Sequence, residues 1–74
     1  MKNLKLIAGF IKQERLARGW SQKKLADNSD VSFSAVQKIE YEKPVKDETI
    51  EAVAKALDFQ YVVQISFIPI KKSK

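Results

Sequence analysis

Cysteine and histidine are absent from the 74 residues, and glycine and proline occur only twice each. Without a thiol or an imidazole the chain can form no disulfide framework, no Cys/His zinc site, no cysteine nucleophile and no imidazole base. The acidic side chains fall on helical faces with no pocket pattern around them, which makes catalysis the poorest reading. No cofactor and no metal is expected. The longest mainly apolar run, Gln60 to Ile70, is far short of the roughly 20 residues of a membrane helix. The first residues also lack the charged, apolar and small succession of a signal peptide. A cytoplasmic protein without a membrane partner is expected.

A chain of 74 residues makes one domain, near the lower size at which a core holds without a staple or a second subunit. A partner chain is therefore a natural expectation. The net charge of +5 is unevenly spread. Residues 1–26 carry seven Lys or Arg against Glu14 alone, residues 27–60 carry four basic and eight acidic side chains, and the tail 71–74 adds three lysines. A basic end attracts polyanions, although a few surplus lysines also serve solubility alone.

Apolar residues Leu4, Ile7 and Ile11, with Phe10 to one side, recur at helical spacing up to Arg18, where Gly19 supplies a left-handed stop. Ser21 can cap a short second helix over Gln22 to Asn28, with Leu25 and Ala26 turned inward. Asn28-Ser29-Asp30-Val31 reads as a turn, and Ser32 can cap a third helix that runs to about Tyr41. Pro44 closes that segment, and Asp47 and Glu48 open a fourth helix whose buried stripe is Ile50, Val53, Ala54 and Leu57. Only the last stretch breaks the helical period. Ala26 is small where the second and third helices would cross, which fits a helix-turn-helix.

The string IKQERLARGWSQKKLADNSDVSFSAVQKIE resembles the Cro/CI-type helix-turn-helix family, also called the XRE family: Ile-x-x-x-Arg, Gly, an apolar residue, Ser-Gln-x-x-Leu-Ala, a turn, Val-Ser, then an apolar residue and Ile-Glu. The likeness continues through TIEAVAKALDF and spans residues 4–59. It implies a mainly α, lambda-repressor-like bundle of four to five helices that binds double-stranded operator DNA as a homodimer and regulates transcription, in a bacterium or phage. Three positions depart from the family pattern. Ser29 replaces an apolar residue, Asp30 a left-handed Gly, and Glu42 the Gly that commonly follows the third helix. Asp tolerates the left-handed region, Ser29 implies a weaker local core, and Glu42 brings negative charge to where phosphates pass.

Within that resemblance the third helix presents Phe33, Ser34, Gln37 and Lys38 as base-reading candidates. Gln37 can pair with adenine, Lys38 can donate to guanine, Ser34 can serve either, and Phe33 can touch a thymine methyl. The plainer alternative is that Phe33 packs beside the turn and Lys38 is merely solvated. Ser21, Gln22, Lys23, Ser32 and Lys43 are the phosphate candidates, with a solvated helix face as the plainer reading for Lys23. Arg15 and Glu40 match the family's charged pair joining the first helix to the end of the third.

The tail QYVVQISFIPI alternates a face of Tyr61, Val63, Ile65 and Phe67 with Val62, Gln64, Ser66 and Ile68, and reads as one C-terminal strand ended by Pro69. So apolar an edge needs a partner. A second copy, paired antiparallel across a dimer through Tyr61, Val63, Ile65 and Phe67, is the expected one. The alternatives are a continued fourth helix, pairing with Lys2 to Ile7 in the same chain, or disorder. The division expected is thus 1–59 for DNA, 60–70 for dimerisation and 71–74 as a basic tail. A helical domain with one terminal strand also resembles HipB-type antitoxins, so a cognate toxin, or another protein sheet that accepts the strand, is the competing partner.

Overall fold

In the computed structural model of the chain, residues 3–62 and 66–70 are described. Four helices precede a hairpin: α1 (Leu4–Ala17), α2 (Gln22–Ser29), α3 (Phe33–Glu40), α4 (Asp47–Ala56), β1 (Phe59–Val62) and β2 (Ser66–Pro69). Short polar side chains start three of the helices. Asn3, Ser21 and Ser32 accept the backbone N–H groups of Leu6, Lys24 and Ala35 at 3.0, 3.0 and 3.1 Å. The fourth begins at Lys46 without a side-chain cap, and Asp47 and Glu48 in its first turn complement the helix dipole instead.

The helix ends share one device. Gly19, Asp30, Glu42 and Asp58 follow α1, α2, α3 and α4 with φ of 69°, 58°, 62° and 67°. Behind the first three, a six-to-one bond closes the last turn: Trp20 N–H to Arg15 O at 3.1 Å, Val31 N–H to Ala26 O at 3.2 Å and Lys43 N–H to Lys38 O at 2.8 Å. Glycine fills this left-handed slot only once. Asp30 takes the conformation expected of it and Asp58 does the same, while Glu42 occupies it without glycine's freedom or the short polar side chain of aspartate.

The core brings Ile7 and Ile11 of α1, Leu25 and Ala26 of α2, Val36 and Ile39 of α3, and Ile50, Val53 and Ala54 of α4 into one cluster with Leu57 and Tyr61. α2 packs against both α3 and α4, α1 against α3, and β1 against α4. The helix pair α2–α3 is therefore braced from behind by two other helices.

The tail departs from the single strand expected. Instead of one strand without an intrachain mate, it forms two that pair antiparallel, Phe59 opposite Pro69, Gln60 opposite Ile68, Tyr61 opposite Phe67 and Val62 opposite Ser66. Neither continued helix nor pairing with the N-terminal segment takes its place. Val63 and Ile65, expected at a dimer contact, and the lysines of the tail 71–74 lie outside the described residues. The physical reason for the hairpin is aromatic. Phe10 of α1 stacks on Phe67 with ring centroids 3.9 Å apart and meets Phe59 edge-on at 4.8 Å, while Tyr61 lies 5.3 Å from Phe67. Folding the tail back lets both strands cover Phe10 and buries Tyr61, which keeps only 5% of its surface.

Candidate nucleic-acid interface

α2 and α3 are joined by the Asp30-Val31-Ser32 turn, and Val31 packs partly into the core. Ser29 is buried at the end of α2, where an apolar side chain was expected to be needed. Its hydroxyl donates to Leu25 O at 2.6 Å, so the polar atom is satisfied within its own helix. Val36 and Ile39 hold the inner face of α3, and Ala35 is half-buried beside them.

The end of α3 is fixed to α1 by charge. Arg15 Nε donates to Glu40 Oε2 at 2.7 Å and Arg15 Nη2 to Oε1 at 2.9 Å, while Nη1 donates to Trp20 O at 2.8 Å. The side chains are 9% and 2% exposed, so this is a buried fork on a carboxylate. The hydrogen bond to Glu40 raises the Arg15 pKa above its ordinary value, against the opposing effect of burial. As far as Arg15's own titration goes, this contribution is present below the ordinary arginine value and is lost as pH climbs past the folded one. Gln22 joins the same carboxylate from α2, its Nε2 donating to Glu40 Oε1 at 3.1 Å. One acidic side chain thus accepts from α1 and α2 and belongs to α3. The sequence held no signal for this third partner, because nothing local links residues 22 and 40.

On the opposite face of α3, Phe33, Ser34 and Lys38 are exposed and Gln37 is half-buried. Phe33 retains 47% of its surface and Tyr41, one turn past Gln37, retains 62%. Ser34 Oγ lies 3.3 Å from Ser32 Oγ, the cap of the same helix. Among the phosphate candidates, Ser21, Lys23, Ser32 and Lys43 are exposed, and Gln22 is half-buried by its bond to Glu40. Lys23 lies 3.6 Å from Asp27 with both side chains mostly in water, an ion pair of little strength.

Two features were not foreseen. A shallow depression beside α3 is lined by Ser32, Ser34 and Lys38 on one side and by Lys46 and Thr49 from the start of α4 on the other, so the basic and hydroxyl groups flanking the third helix extend further than predicted. Arg18 donates to Glu14 O and Oε1 and, across the chain, to Leu57 O at 2.8 Å, tying the end of α1 to the carbonyl end of α4. The Glu14/Arg18 spacing of four was the one local hint of it.

Among the described residues no group of acidic side chains is placed to hold a metal ion, and no helix is long and apolar enough to cross a membrane. No curated protein and no solved structure matches the chain. The helix-turn-helix family model matches residues 11–62, from the middle of α1 to the end of β1. With a braced helix pair, an outward polar face on α3 and that match over most of its length, the chain belongs to the Cro/CI-type (XRE) helix-turn-helix family of DNA-binding regulators.

Proposed function

We propose that the chain is a repressor that reads a palindromic operator as a homodimer, with α3 in the major groove. The carrying observation is the disposition of α3. Its apolar face and its Glu40 are locked into the bundle, while Phe33, Ser34 and Lys38 are exposed on the other side. In this reading Phe33, Ser34, Gln37 and Lys38 meet base edges, and Ser21, Gln22, Lys23, Ser32 and Lys43 hold phosphates and fix register. Gln22 reaches phosphate with the amide hydrogen that Glu40 does not use.

The dimer contact proposed is the outer edge of β2, backed by the buried Tyr61 and the half-buried Phe67. Ile70 N–H donates to Asp58 O at 2.9 Å, so these residues form a hydrogen-bonded pair and the next pair, Phe59 and Pro69, a non-bonded one. The N–H that Pro69 lacks would have pointed outward. A second strand can therefore join β2 at Phe67 and before it, but not at Pro69. A toxin or another protein sheet adding to that edge is the competing occupant.

Selection of bound DNA from a random pool, followed by salt titration and sedimentation of the same protein, tests the reading. Expected are two inverted half-sites about 34 Å apart, a dimer, and the steep salt dependence of about 6–10 phosphate contacts. A single half-site bound by a monomer removes the dimer. No enrichment, or binding indifferent to salt, removes DNA reading and favours a protein partner.

A further inference from the structure

Phe33 is the one base-facing side chain of α3 with no hydrogen bond to give, and its place in the structure shows what it can read. It is the first residue of α3, it retains 47% of its surface, and it stands outside the apolar cluster into which Val31 and Val45 pack. Packing beside the turn therefore leaves nearly half of its surface in water. Beside it, the Ser32 hydroxyl accepts the Ala35 N–H at 3.1 Å and lies 3.3 Å from that of Ser34, with hydrogen-bonding capacity left on both for polar groups of the DNA. What Phe33 itself offers a base edge is an apolar ring.

The major groove displays donors and acceptors on every base but only one apolar group, the methyl on C5 of thymine. A ring laid over N7, O6 or an amino group would strip water from a polar atom and return nothing, which disfavours those bases at that position. Cytosine carries a bare C–H at the same carbon, and methylation puts there the group that thymine has. Resting on the DNA-reading assignment of α3, we infer that Phe33 is a specificity-determining residue for a pyrimidine 5-methyl group, and that it reads thymine and 5-methylcytosine through that one atom. Methylating a cytosine under Phe33 then strengthens binding, where methylation of a hydrogen-bonded base edge would obstruct it.

The test uses the full chain and the sequence it selects from a random pool. Each thymine of a half-site is replaced in turn by deoxyuridine, which removes only the methyl, and each cytosine by 5-methylcytosine, which adds only the methyl. Affinities are measured for the wild type, Phe33→Ala and Phe33→Leu, with helical content checked by circular dichroism. One position per half-site is expected at which losing the methyl weakens the wild type about fourfold, the worth of one buried methyl group. A cytosine placed there should gain a similar factor on methylation. Phe33→Ala should bind both members of each pair equally, and Phe33→Leu should keep part of the difference. If the wild type binds its sequence but every methyl effect survives in Phe33→Ala, or no position shows one, the inference is overturned. If no sequence is enriched at all, the DNA-reading assignment falls first and this inference with it.

Discussion

Arg15 and Glu40, 25 positions apart, meet in a two-pronged bridge at 2.7 and 2.9 Å that sets the angle of α3 on α1. Removing Arg15 leaves the buried Glu40 carboxylate with only the Gln22 amide to answer it, and removing Glu40 leaves the buried guanidinium with only the Trp20 carbonyl. Arg15→Ala is expected to lower stability by about 3–5 kcal/mol, as is usual for half of a buried pair, and to weaken DNA binding through the same displacement of α3. Replacing both by apolar residues of similar volume should be far less damaging than either single change. Urea denaturation of the three variants checks this, and wild-type stability in Arg15→Ala would refute it.

Glu42 sits in the left-handed slot after α3 with φ 62°, where a side chain with a Cβ is strained and a negative charge faces the negative end of the helix dipole. Glu42→Gly is expected to stabilise the fold by about 1 kcal/mol, which raises the melting temperature of so small a domain by roughly 4–8 °C. Under the proposed function it should also tighten DNA binding at low salt, since a carboxylate near the phosphates is gone. Asp30→Gly should gain less, because Asp already tolerates that region. A drop in melting temperature for Glu42→Gly would count against the account of the turn.

Phe10 is where the hairpin meets the bundle. Phe10→Ala removes the ring on which Phe67 stacks and to which Phe59 stands perpendicular. The loss should be about 2–3 kcal/mol, below the range for a fully enclosed phenylalanine because Phe10 keeps part of its surface. Hydrogen exchange locates it. The Ile70 amide, which donates to Asp58 O, should lose protection well before the amides of α2 and α3. Equal protection of Ile70 in both proteins would show that the hairpin stands without Phe10.

The helices were legible because each carries its own punctuation: Gly19, Ser21, Ser32 and Asp47 mark boundaries that the structure places within a residue or two, and Pro44 falls in the connection between α3 and α4. Asp30 and Glu42 were legible as departures from a family pattern, and both take the left-handed conformation that glycine would have filled. The hairpin was not legible. Between its strands stand Val63, Gln64 and Ile65, with no glycine, asparagine, aspartate or proline to signal a reversal, and the alternation of apolar residues runs on unbroken. A pattern with period two says which residues share a face but not whether the ribbon doubles back. The bond from Gln22 to Glu40 was hidden for a different reason, since it depends on where two helices end relative to a third.

Pro69 limits how far a strand added to the tail could pair. An exposed ribbon edge is a template, and templates that accept one strand commonly accept many, which is how soluble domains turn into fibres. Here the template is cut short: with no N–H to offer at its last position, β2 gives an incoming strand purchase over only a few residues. Under the proposed dimer, pairing at this edge is thereby confined to the few residues before Pro69, which disfavours open-ended addition of strands.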